Sequence, residues 1–187
     1  MKKLWIALGI IVLAVVLVAG SLVGIYNRLV TLDQGAEAAW AQVETVLQRR
    51  YDLIPNLVNT VRGFADQEQE VLTEVTRLRS QWGEAGSTNE QAAIAGQLEG
   101  ALGRLMIVVE RYPELRSNQN FLALQDELAG TENRIATERR RYNEAVQSYN
   151  TAIQRFPTTL IASATGFQGR DFFESVTDAA VPPTVEF

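Results

Sequence analysis

Apolar residues along this chain fall into two patterns. The first is a run from Leu4 to Ile25, 22 residues without a charge. As a helix it extends ~33 Å, enough for a ~30 Å hydrocarbon core. Trp5 and Tyr26 bracket it, where interfacial aromatics belong. The second pattern begins at Trp40, with apolar residues recurring at three and four: Val43, Leu47, Tyr51, Ile54, Val58 and Val61. The phase continues through Ala65 to Leu72, Val75, Leu78 and Trp82. This spacing predicts a helical face turned to a core. Pro55 interrupts it. Either the helix kinks there, or a new helix starts with Asp52 as N-cap and Pro55 in its first turn. The unbroken phase favours the kink.

Gly83 to Gly86 predicts a turn, and Ser87 with Glu90 a capping box for the next helix. Its stripe is Ile94, Leu98, Leu102, Leu105, Val108 and Tyr112, and Pro113 stops it. Ser117 or Asn118 caps a last long helix, with a stripe of Phe121, Leu124, Leu128, Ile135, Tyr142, Val146, Tyr149 and Ile153. Taken over 118–155 it extends ~57 Å, too long for a compact globule. From Phe156 the chain is richer in Gly and Pro but keeps Phe167, Phe172, Phe173 and Phe187. A disordered tail has fewer aromatics, so this one is expected to pack on the bundle or on a neighbouring chain. No strand alternation occurs.

The expected fold class is therefore all-α. A single N-terminal transmembrane helix precedes an elongated antiparallel bundle of three to four long helices and a partly irregular C-terminal tail. The divisions are 1–3 before the membrane, 4–26 in it, 27–156 the bundle and 157–187 the tail.

Charge sharpens this. The chain has no His and no Cys, and its only lysines are Lys2 and Lys3. Triads, thiol nucleophiles, His- or Cys-ligated zinc and a phosphate-loop lysine are thereby excluded. Carboxylate catalysis needs a cleft that a narrow bundle does not offer. No enzyme and no cofactor is expected. Beyond the run, 15 Arg face 22 acidic residues, a net of 15 − 22 = −7. An acidic balance without a lysine stripe argues against nucleic acid. The rival to an anchor is a cleaved signal peptide, whose apolar core is shorter, at ~7–15 residues. Lys2 and Lys3 on one flank place the N-terminus in the cytoplasm and the bundle outside.

Several clusters are candidates for function. Arg49, Arg50, Asp52, Asn56 and Asn59 concentrate polar groups beside Pro55. They read as a docking site with Pro55 as hinge, or as a buried polar layer that sets helix register, with Glu132 or Glu138 pairing Arg50. Gly20 and Gly24 form a GxxxG pair suited to helix association in the membrane. Ala92, Gly96 and Gly100 form a row of small residues suited to close helix packing. Tyr142-Asn143 and Tyr149-Asn150 repeat at seven residues, their rings expected in the seam with bonded hydroxyls. Arg139, Arg140 and Arg141 read as a solvated face rather than a lipid contact. Val185-Glu186-Phe187 reads as a packed tail, or as an end suited to capture by strand addition.

The Arg49-Arg50-Tyr51-Asp52-Leu53-Ile54-Pro55-Asn56-Leu57-Val58 block resembles the LemA family of bacterial membrane proteins. Tyr26-Asn27-Arg28-Leu29-Val30, Ala39-Trp40, Thr131-Glu132-Asn133-Arg134-Ile135, Arg141-Tyr142-Asn143, Gly166-Phe167 and the Pro-x-Val-x-Phe end from Pro183 to Phe187 agree. The resemblance implies one membrane helix, a four-helix bundle and no enzyme activity. It also implies a setting beside HtpX-type membrane metalloproteases or TPM-domain proteins, hence envelope quality control or membrane organisation. The expected partners are the lipid bilayer, further copies of the chain and such a protease. The expected location is the bacterial inner membrane. The expected role is a non-enzymatic scaffold, the alternatives being a self-assembling membrane-remodelling protein and a ligand-sensing bundle.

Overall fold

A computed structural model describes residues 2–173. The order is α1 (Lys2–Arg62), α2 (Gln69–Glu84), α3 (Thr88–Val109), α4 (Pro113–Arg116), α5 (Gln119–Gln154) and α6 (Thr158–Thr165). No strand occurs among the described residues, so the chain is all-α. It folds as two units, Met1–Ala39 with Tyr142–Phe172, and Trp40–Arg141 with Phe173. The end of the tail, including Pro183 to Phe187, lies outside the described residues.

In the second unit, four helical segments run up, down, up and down. Every residue of the stripe from Trp40 to Trp82 is buried, as are Ile94, Leu98, Leu102, Leu105 and Val108 of the next stripe. Phe121, Leu128 and Ile135 bury the inner face of α5. Such burial contributes ~1.5–3 kcal/mol per large apolar side chain, which makes these stripes the main stabilising term.

Pro55 lies inside α1 rather than between two helices. Lacking an N–H, it leaves the Tyr51 carbonyl without its helical donor. Arg79 Nε of α2 donates to that oxygen at 3.3 Å. The Tyr51 and Trp82 rings stack beside this bond, centroids 4.3 Å apart. The break comes about two turns after Pro55. α1 ends at Arg62, and Phe64 N and Ala65 N turn back to the Val61 carbonyl at 3.0 and 2.9 Å. Ala65 is itself buried, so the apolar phase hides the turn. Across the bundle, Glu68 accepts from Arg111 at 3.0 Å and from the Tyr112 hydroxyl at 3.2 Å.

Local capping follows the sequence. Ser87 Oγ accepts from Glu90 N at 3.2 Å, and the Glu90 carboxylate accepts from Gly86 N at 3.0 Å. Asn118 Oδ1 accepts from the N–H groups of Asn120 and Phe121 at 2.9 and 3.1 Å. These bonds satisfy donors that a helix start leaves open.

In the first unit, Leu29 and Ala36 of α1 and Tyr142, Val146 and Tyr149 of α5 are buried. The tail here is not wholly irregular: α6 forms, and Gly166 closes it in the left-handed region at φ 83°. The following segment is fastened by side chains. Tyr149 and Tyr142 donate their hydroxyls to the carbonyls of Gln168 at 2.8 Å and Asp171 at 3.0 Å. Asn150 both donates to the Arg170 carbonyl at 2.8 Å and accepts from its N–H at 2.9 Å. Arg170 Nε bonds Asp33 of α1 at 2.7 Å. The repeat at seven residues thus holds the tail.

Burial holds the phenols of Tyr51, Tyr142 and Tyr149 above their ordinary value of 10.0. The fold favours their neutral forms. Their contribution is therefore complete below pH 10 and is lost as pH rises through the folded-state values. The urea midpoint of the full chain in detergent should hold from pH 8 to about 10 and fall beyond it. Tyr51→Phe should make that fall shallower; an identical slope would exclude Tyr51 as a contributor.

Candidate functional site

The apolar run is exposed along its described length as far as Gly24. Its segment of highest hydropathy, mean 3.0, has none of its residues buried, and Trp5 is 70% exposed. Continuous surface of this kind marks a membrane or protein contact in a folded chain. Thr88–Val109 is also long and apolar, at 1.4, but half of that stretch is buried, as in a core helix. At Gly20 and Gly24 an added Cβ would meet nothing within 4 Å, so the small-residue face of the run is open.

The polar cluster beside Pro55 does not form one site. Arg50 is buried and its guanidinium pairs with the Glu132 carboxylate. Arg49 is exposed and meets Glu127 at 3.4 Å. Asp52 is exposed and accepts from Gln48 at 2.8 Å. Asn56 and Asn59 are also exposed, instead of reaching a facing helix. Helical rotation separates these positions: Arg50 follows the buried stripe, whereas Asp52, Asn56 and Asn59 fall on the outer arc.

Arg50 and Glu132 instead line a recess between α3 and α5 of about 220 Å³. Its remaining wall is largely apolar, with Leu102, Gly103, Met106, Leu128 and Ala129. Ile107 on α3 and Leu122 on α5 add exposed apolar surface, at 66% and 44% exposure. A Cβ on Gly103 would meet nothing within 4 Å. Sequence reading missed this recess, although Ile107, apolar but off the buried stripe, was a signal for it.

The small-residue row is also corrected. Gly96 is buried and Ala92 half-buried, but Gly100 is exposed, and a Cβ there meets nothing within 4 Å. No neighbouring helix closes on Gly100 within the described residues. The arginine triplet divides in the same way. Arg139 pairs with Glu99 at 3.3 Å and sits 4.4 Å over the Phe173 ring, so it is not on a solvated face. Arg141 pairs with Glu138 at 2.7 Å along the helix. The sequence carries Arg139 beside two exposed arginines, and only the tail's return to α5 distinguishes it.

Four buried polar atoms have no hydrogen-bond partner among the described residues: Arg50 Nε, Tyr51 Oη, Trp82 Nε1 and Arg139 Nε. Such groups are costly, and here they share one bundle. No group of three His, Cys, Asp or Glu suited to a metal ion occurs among the described residues.

An exposed apolar helix and an antiparallel helical bundle define a membrane-associated, all-α protein. Residues 39–187 match the LemA family. The chain belongs to that family. It is 32% identical to magnetosome protein MamQ 2 of Paramagnetospirillum magneticum, over 87% of this chain and 70% of that protein. It is 30% identical to magnetosome protein MamQ of Magnetospirillum gryphiswaldense, over 89% and 71%. It is 24% identical to protein LemA of Metamycoplasma hominis, over 75% and 64%.

Proposed function

We propose that this protein is a non-enzymatic scaffold of the bacterial inner membrane. Leu4–Ile25 anchors it, with Lys2 and Lys3 on the cytoplasmic side and the bundle on the outer side. The bundle takes an apolar helix face of a protein held in the same membrane, a second copy or an HtpX-type metalloprotease. The observation that carries this reading is the α3–α5 recess, a largely apolar groove between two helices that also expose Ile107 and Leu122. Groove recognition of an amphipathic helix needs an apolar trough of this kind.

A photo-crosslinker at Ile107 in the full chain, expressed in cells, tests it. Discrete adducts containing either a second copy or a membrane protease are expected. Gly103→Trp fills the recess without a backbone clash, because that side is open. It should abolish the adducts. Adducts unaffected by Gly103→Trp would sink the docking role of the groove.

A second reading, self-assembly that shapes the bilayer, draws support from the relatives named for the magnetosome. A ladder of large homo-oligomers at Ile107, with deformation of liposomes by the purified chain, would favour it over the scaffold.

A further inference from the structure

The first unit holds a second recess, of about 460 Å³, where the apolar run ends. Ile25, the last residue of the run, lines it, and Arg28 follows one helical turn later. Arg155 stands opposite at the end of α5. Ser148, Thr151 and Thr158 add hydroxyl-bearing side chains to the lining. Among the described residues no carboxylate lines the recess. The nearby Asp33 is engaged by Arg170 at 2.7 Å. Neither Arg28 nor Arg155 forms an ion pair among the described residues.

Around it, the surface changes character. Phe156 and Leu160 follow Arg155 and are 81% and 62% exposed. Tyr26 follows Ile25 and is 43% exposed. Aromatic and apolar side chains beside cations, at the end of a membrane-length run, match the headgroup layer of a bilayer.

We propose that this recess binds the phosphate of an anionic phospholipid headgroup. Arg28 and Arg155 neutralise the phosphate, and Thr151 and Thr158 donate hydroxyl hydrogen bonds to its oxygens; the Ser148 hydroxyl is already donated to the Glu144 carbonyl at 2.9 Å. Guanidinium groups suit this task because their planar forks match phosphate oxygens. Phe156 and Leu160 enter the acyl boundary beside it. The site fixes the depth and rotation of the first unit at the membrane surface. The inference rests on the reading of Leu4–Ile25 as membrane-spanning.

The test uses the full chain in detergent with equimolar phosphatidylglycerol and phosphatidylcholine, and counts retained lipid by native mass spectrometry. Phosphatidylglycerol should be retained preferentially. Each guanidinium removed should lower its retention about fivefold, the worth of one cation near an anionic surface. Arg28→Gln with Arg155→Gln should therefore abolish the preference. Arg28→Lys with Arg155→Lys should restore most of it. Arg104→Gln with Arg134→Gln, in the other unit, should leave it intact. Unchanged retention in the Arg28→Gln/Arg155→Gln chain would overturn the proposal. Displacement of the lipid by millimolar inorganic phosphate would overturn its lipid assignment in favour of a free anion. Alkaline extraction of membranes tests the anchor separately. Release of the wild-type chain would refute the membrane span whatever the lipid result, whereas a retained chain without lipid preference would refute the recess alone.

Discussion

Leu105→Asp should unfold the bundle of the second unit. Leu105 is fully buried on α3 and does not line the α3–α5 recess. Truncating a buried leucine costs ~2–5 kcal/mol. A carboxylate in its place adds several more, because an ionised group at a fully buried apolar position loses its hydration. Together these approach the ~5–15 kcal/mol by which a domain of this size is stable. Trp82 stacks on Tyr51 within that bundle, so its fluorescence reports the loss. A urea curve of the full-length variant in detergent should show no cooperative transition in the tryptophan signal. A wild-type transition would show that Leu105 lies outside the core.

The Arg50–Glu132 pair should respond asymmetrically. Arg50 is 3% exposed, whereas the Glu132 side chain is 39% exposed. Removing Glu132 strands a charge that water reaches poorly, so Glu132→Ala should cost about 3 kcal/mol, the lower end for a broken buried pair. Removing Arg50 strands a carboxylate that already meets solvent. Arg50→Met keeps apolar volume in the core and also removes the unpartnered Nε, so its cost should stay below about 1 kcal/mol. Urea midpoints of the two variants decide it. Equal losses would mean that the pair acts as a surface contact rather than a buried guanidinium with one exposed partner.

Much of this fold was legible in the periodicity. Trp40 through Trp82 all turn inward because three- and four-residue spacing is itself the geometry of one helix face. The caps at Ser87 and Asn118 were legible because short polar side chains there meet specific open donors. The turn at Gly63–Glu68 was not, since buried Ala65 continues the apolar phase through it. Candidate site residues were harder to place. Periodicity identifies Arg50 as inward-facing, but Asp52, Asn56 and Asn59 share its sequence neighbourhood and not its face. Arg139 was illegible for another reason. Its environment depends on Phe173, 34 residues away, and no local pattern carries that contact. The recess at Arg28 and Arg155 likewise joins positions far apart in sequence.

The tyrosine repeat on α5 has a metric consequence. Seven helical residues, from Tyr142 to Tyr149, rise ~10.5 Å. Three residues of chain, from Gln168 to Asp171, reach at most roughly 10 Å. The two hydroxyls meet two tail carbonyls three residues apart and in reverse order, so the tail runs antiparallel to the helix near the limit of its reach. Asn150, one residue beyond Tyr149, clasps Arg170 through both its N–H and its carbonyl. A single residue inserted between Gln168 and Asp171 would put the tail out of step with the phenols, so its length there is as constrained as that of a helix in a bundle.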